Sequence, residues 1–168
     1  ILGNEQLTWT IDGDISVAEG DPASYIVAFS GGTLTDDQTV SVELTLDLPG
    51  GLGGAEAADF LAAFNTDVQA AISALGPNSG ITYDSGTRTL TFDQDADPFF
   101  SFSLETAQDL ILEGDETYTV GVANPSLGNT DPANEAVETT IVDDDLDNLV
   151  WNIAGNTAVL EGDTPSYI

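Results

Sequence analysis

The chain has 168 residues, about one domain's worth, and 41% of them are hydrophobic, enough for a core. Its 30 Asp and Glu face one basic residue, Arg88, with no Lys, His or Cys, giving a net charge of −29. That balance excludes nucleic acid and anionic membrane surfaces, which are held through Lys and Arg, and the missing His and Cys exclude Ser-His-Asp and Cys-His chemistry, a zinc finger, a haem ligand and iron–sulfur sites. Carboxylate chemistry and hard cations remain.

Residues 1–6 read as the end of a linker, and Ile1-Leu2-Gly3-Asn4-Glu5 does not read as a signal peptide. No apolar run approaches the ~18 residues of a bilayer span, so no direct membrane insertion is expected. Alternation of period two predicts strands at Leu7 to Ile11 with Ile15 to Ala18, at Ser24 to Ser30 and at Thr39 to Asp47. An insertion follows, in which residues 55–75 carry Phe60, Leu61, Phe64, Val68, Ala71, Ile72 and Leu75 at helical spacing until Gly76-Pro77 ends them. One apolar stripe covers one surface, so this helix is expected to cap an open edge or end of the fold, the alternative being a face for a partner. Ile81 to Asp84 reads as a bend. Further strands are predicted at Thr87 to Phe92, Phe99 to Glu105, Thr117 to Asn124 and Glu135 to Val142. With no βαβ rhythm, the fold class is all-β, an antiparallel β-sandwich with one helical insertion.

The chain also repeats itself. Leu7-Thr8-Trp9-Thr10-Ile11 recurs as Leu149-Val150-Trp151-Asn152-Ile153, Val17-Ala18-Glu19-Gly20-Asp21 as Val159-Leu160-Glu161-Gly162-Asp163, and Ser24-Tyr25-Ile26 as Ser166-Tyr167-Ile168. The offset is 142 residues throughout, and 11 of 20 aligned positions are identical. Such a period is a domain in a tandem array rather than a solenoid unit. Residues 7–145 are expected to form one complete repeat, 146–148 a linker continuing the acidic run Asp143-Asp144-Asp145, and 149–168 the first strands of the next repeat. Lacking the rest of its sandwich, this tail is expected to stay mobile or to pair with another molecule.

An up-and-down traverse brings Glu19 and Asp21, Asp59 and Asp67, then Asp109, Glu113, Asp115 and Glu116, and finally Asp143, Asp144 and Asp145 to one pole. That count depends on the bend at residues 81–84, because an extra strand would invert the later loops. Carboxylates so gathered repel one another unless protons or cations intervene. Calcium fits, since it takes six to eight oxygens from mixed segments. The alternative is a solvated acidic surface of a halophilic kind. Asp93-Gln94-Asp95-Ala96-Asp97 starts like an EF-hand loop, but Pro98 and Leu104 stand where that loop needs Gly and Glu. This turn, with Asp36, Asp37 and Asp131, is expected at the opposite pole, either in an inter-repeat calcium site or simply solvated.

Val17-Ala18-Glu19-Gly20-Asp21, Leu112-Glu113-Gly114-Asp115-Glu116-Thr117-Tyr118 and Thr140-Ile141-Val142-Asp143-Asp144-Asp145, in that order, resemble the Calx-beta domain. The insertion around Asp59-Phe60 is similar to repeats of giant bacterial RTX adhesins exported by type I secretion. The resemblance implies an immunoglobulin-like sandwich with calcium ligands at Glu19, Asp59, Asp109, Glu113, Glu116, Asp143, Asp144 and Asp145. It further implies an extracellular spacer on a bacterial surface, partnered by neighbouring repeats through calcium-bound linkers, with no small-molecule substrate. The rival is a carbohydrate- or protein-binding module of a secreted protein, with Trp9, Tyr83 or Phe99-Phe100 stacking on sugar. An enzyme using two carboxylates is not expected.

Overall fold

A computed structural model describes residues 6–35, 37–145 and 151–168. The expectations for residues 1–5, Asp36, the linker 146–148, and Leu149 and Val150 at the head of the tail lie outside the described residues. In chain order the strands are β1 (Thr8–Gly13), β2 (Ser16–Ala18), β3 (Pro22–Ser30), β4 (Thr39–Asp47), β5 (Ile81–Asp84), β6 (Thr89–Asp93), β7 (Phe99–Glu105), β8 (Glu116–Ala123), β9 (Asn129–Thr130) and β10 (Ala136–Val142). The helix α1 (Phe64–Leu75) and a short 3-10 helix (Ala57–Asp59) lie between β4 and β5.

Alternate residues of each long strand point inward, as the period of two requires. Trp9 and Ile11 on β1, Tyr25 and Val27 on β3, Val42 and Leu44 on β4, Phe102 and Leu104 on β7, and Tyr118 and Val120 on β8 are all buried. They fill the space between two sheets of strand order β7-β3-β1-β9 and β2-β10-β8-β4-β6-β5. Among the described strands the pairs are antiparallel except β1 with β9 and β2 with β10, which are parallel. The chain therefore crosses from one sheet to the other between β1 and β2. A buried polar pin ties the layers: the Tyr25 hydroxyl is hydrogen-bonded to those of Tyr118 (2.8 Å) and Thr139 (2.7 Å), and Thr139 donates to the Asp14 carbonyl (2.6 Å).

The helix is shorter than its apolar pattern predicts. It starts at Phe64 and ends at Gly76, whose φ of 85° and N–H to the Ser73 carbonyl form the expected stop. Apart from the single 3-10 turn at Ala57–Asp59, residues 55–63 are not helical, because their backbone is bonded to strand ends instead. Ala55 N–H donates to Thr117 (2.9 Å), Leu61 N–H to Glu105 (2.9 Å), and the Asp59 carbonyl accepts from Ala107 (2.8 Å). The stripe on α1 packs against β7 and β5, with Phe64 and Val68 buried and Leu75 exposed. Those two strands are edges of different sheets. The helix thus closes one open side of the sandwich, as a cap does.

Ile81 to Asp84 is not a bend but a strand, paired antiparallel with β6 from Ile81↔Phe92 to Asp84↔Thr89. An extra strand alone would invert the later loops. The helix supplies a second extra pass, returning the chain from the end of β4 to the far pole before β5 climbs back. Two added traverses cancel, so the loops after β2, β4, β7 and β10 share one pole.

Residues 151–168 form a small hairpin of their own. Gly155 bridges Tyr167 as Gly13 pairs with Tyr25, and Asn156 N–H donates to the Ser166 carbonyl (3.3 Å) as Asp14 does to Ser24 (3.0 Å). At both glycines the tyrosine ring leaves no room for a Cβ. The tail thus repeats the opening hairpin in the same register. Its side chains have no sandwich to enter, however: Trp151 is 90% exposed, whereas Trp9 is fully buried between Phe29 and Phe92.

Candidate metal centre

The pole after β2 and β10 is built by parallel pairing. Val142↔Ala18 places Glu19 beside Asp143, and Glu19 N–H donates to the Val142 carbonyl (3.2 Å). The loop between β7 and β8 is drawn in by Gly20 N–H, which donates to the Ala107 carbonyl (3.2 Å). The insertion is drawn in by the strand-end bonds of Ala55, Asp59 and Leu61 described above. Four segments distant in sequence therefore present carboxylates to one place.

These carboxylates fall into three overlapping groups. Asp143, Asp145 and Glu19 form one, Glu19, Asp109 and Glu113 a second, and Glu113, Glu116 and Asp59 a third, the oxygens within each group lying within 4.8 Å of one another. Glu19 and Glu113 each belong to two groups, so the three make a row joined by shared side chains. Asp144 is outside the row, its Oδ1 accepting from Gln108 Nε2 (3.0 Å). Asp115 accepts from Asp143 N–H (3.3 Å), and Asp67 from Glu105 N–H (3.4 Å). These three fix backbone and neighbours around the row.

The electrostatics follow from crowding. Burial, then the charges of Asp109, Asp145, Asp143 and Asp144, push the Glu19 carboxyl up to about 7. Glu116 is likewise raised to about 7, by burial first and then by its hydrogen bond with Asp59. Burial and neighbouring acids also raise Glu113 and Asp145. Asp143 goes the other way, since N–H groups of Asp145 (2.9 Å), Gly114 (2.7 Å) and Glu113 (3.0 Å) hold its carboxyl below the usual range. It stays charged and anchors the loop on which Glu113 sits.

Asp145 tests whether a cation fits. It is only 5% exposed, and among the described residues neither of its side-chain oxygens has a hydrogen-bond partner. A buried carboxylate without a donor is costly unless a cation satisfies it. Every donor in the row is oxygen, which suits a hard cation and not a transition metal.

Gln108 was not singled out by sequence. Its amide reaches Glu19 (3.4 Å) as well as Asp144, so it is a neutral donor between two acids. It carries no charge or motif of its own, and adjacency to Asp109 was the only signal. At the other pole, Asp37 N–H donates to the Gln94 side chain (2.7 Å), and Asp93 closes the turn by accepting from Asp95 N–H (2.8 Å). Asp131 instead lies along the sheet edge, its N–H bonded to the Trp9 carbonyl (2.8 Å) and its carboxyl held down by Asn134 and Ala133. Of the aromatic residues that could stack on sugar, Trp9 and Phe100 are core, Tyr83 is half-buried with its hydroxyl on Asn65 (2.6 Å), and Phe99 is exposed.

No family model matches the chain, and no curated protein is similar to it. Solved structures are similar in fold. The apo form of the Calx CBD1 domain matches with a TM-score of 0.58 and 20% identity over 84% of this chain and 100% of that one. CBD12 from CALX1.2 matches with a TM-score of 0.53 and 17% identity, and the calcium binding domain CBD12 of CALX1.1 with 0.54 and 20%. They cover 82% and 83% of this chain, which spans about half of each, 46% and 45%. The fold is a Calx-beta-like sandwich with one short helix.

Proposed function

We propose that this chain is a calcium-stabilised extender repeat of a large cell-surface adhesin, exported by type I secretion and projecting distal binding domains from a bacterium for surface attachment or biofilm formation. The observation that carries the calcium reading is Asp145, buried at the end of a row of carboxylates with both oxygens unpartnered among the described residues. Three groups sharing Glu19 and Glu113 suit several calcium ions bridged by common ligands, since calcium tolerates mixed and bridging carboxylates. The likeness to a structure described as a calcium binding domain supports the same reading.

The extender role rests on the 142-residue repeat and on charge. A chain of net charge −29 repels itself where calcium is scarce and gains binding free energy on folding where calcium is millimolar. With no Cys it can be exported unfolded without disulfides to rearrange. The burial of Trp9 and Phe100 removes two of the four aromatic side chains that a carbohydrate-binding reading would use.

The test is a pair of thermal melts at low ionic strength, one in chelator and one in millimolar calcium. Free calcium at 100 times Kd adds ~2.7 kcal/mol per site, which is roughly 5 to 10 °C for a chain of this size. Coincident melts would rule out the calcium reading. A glycan array returning a specific ligand would favour the carbohydrate module.

A further inference from the structure

Asp109 and Glu113 converge with Glu19 in one carboxylate group, which forces the three residues between them to arc away from the protein. Those residues are Leu110, Ile111 and Leu112, and they are 83%, 59% and 50% exposed. Ile111 N–H donates to Asp109 Oδ1 (2.7 Å), so the base of the arc is bonded to a member of the row while its tip faces outward. Leu52 and Leu61, from the insertion, are exposed as well. Three consecutive large aliphatic side chains facing water at the most acidic place on the molecule have no role in the sandwich core.

The chain itself indicates what meets them. β10 ends at Val142 on this pole, and the hairpin that repeats β1 and β3 is already under way at Trp151. Nine residues of extended chain reach no more than ~30 Å. Whatever folds onto that hairpin therefore begins close to this pole. In the complete repeat the start of β1 lies at the pole opposite the carboxylate row, beside the turns that precede β4, β7 and β9. Among the described residues, that opposite pole carries the exposed apolar side chains Phe99 and Leu127, with Leu75 at the end of α1 beside Phe99, next to the acidic turn Asp93 to Asp97.

We propose that Leu110, Ile111 and Leu112 form the docking tip of this repeat, which seats against the Phe99 and Leu127 pole of the following copy. The proposal rests on the tandem, calcium-bound reading above. Cations in the row cancel most of the negative charge of this pole, so that it no longer repels the other, which is lined by Asp93, Asp95 and Asp97. Without them both faces are acidic and repel. The apolar tip then supplies a contact that holds only when the charges allow it.

The test extends the 168-residue chain past Ile168 with residues 27–145, completing the second copy. Small-angle scattering and residual dipolar couplings are recorded in calcium and in chelator. The expected result is two independently tumbling bodies in chelator and one alignment frame in calcium. Leu110→Ser, Ile111→Ser and Leu112→Ser, made together in the first copy, should leave its calcium titration and melting temperature unchanged while abolishing the single frame. A triple variant that still shows one frame in calcium overturns the proposal. Calcium binding without any stiffening of the parent chain overturns the joint and leaves the calcium reading standing, whereas no binding removes both. Calcium-dependent sedimentation of the parent chain with phosphatidylserine vesicles, lost in the triple variant, would overturn it in favour of a membrane-docking tip.

Discussion

Glu113 belongs to two of the three carboxylate groups, so a change there reaches both. Glu113→Gln keeps the size and one carbonyl oxygen but loses the charge and the bidentate option. It should weaken calcium binding at least ~10-fold, equivalent to about 1.4 kcal/mol, by isothermal calorimetry. Asp95→Asn, at the other pole, should leave the single chain's affinity unchanged, and equal losses in both would contradict the placement of the row. Glu19 gives a prediction in pH. Its folded carboxyl sits at about 7 against an ordinary value of 4.5, so the folded state binds a proton more tightly than the unfolded one. That contribution is complete below the ordinary value and is lost as pH rises through the folded one. Metal-free protein should accordingly melt higher at about pH 5 than at about pH 8, and saturating calcium, which competes with the proton, should remove the advantage of acid. A chelated protein that melts no higher in acid would contradict the crowding of Glu19. The anionic residues of this site were legible because acids are conspicuous in short motifs such as Leu112-Glu113-Gly114-Asp115. Gln108 was not, because a neutral amide acquires its part only from the two acids that folding brings to it.

Among the elements, the helix is the sharpest case. Phe64 is buried edge-on against Phe102, with the Arg88 guanidinium 5.4 Å from its ring centroid, while Leu75 on the same stripe is half exposed. Phe64→Ala should cost ~3 kcal/mol and Leu75→Ala less than ~0.5 kcal/mol, read from chemical denaturation in calcium. Similar losses would mean that the stripe packs along its whole length. Strands such as β3 and β8 were legible from alternation alone, because one of their faces is buried throughout. Residues 55–63 misled the helical reading for a physical reason: Ala55, Asp59 and Leu61 spend their backbone groups on β7, β8 and the loop between them, and sequence periodicity carries no record of such long-range bonds. Ile81 to Asp84 failed similarly, since a four-residue strand with Ile81 alone fully inward offers too short an alternation to recognise.

For the molecule as a whole, the convergence of the row was anticipated through an incomplete count. An unrecognised strand and an unrecognised return pass through α1 compensated, so the pole was right while the path to it was not. The charge of −29 makes a further prediction. High NaCl in chelator should recover only part of the stability that millimolar calcium gives, because screening weakens repulsion among exposed acids but leaves the buried oxygens of Asp145 without a partner. Full recovery would identify the acids as a solvated halophilic surface.

The crossing of the chain between sheets has a mechanical consequence. The repeat is entered at the start of β1, at one pole, and left at the end of β10, at the other, and β2 and β10 lie parallel with Ser16, Val17 and Ala18 opposite Thr140, Ile141 and Val142. Tension applied between those two points pulls the paired strands past each other along their length. Their hydrogen bonds are then loaded in shear and must break together, rather than opening one at a time as in a peeled hairpin. Cations bridging Glu19 to Asp143 and Asp145 would clamp the same seam at the point where the load leaves it. Single-molecule pulling should therefore show a high rupture force that drops when calcium is chelated, a strength that follows from which two strands the fold sets side by side.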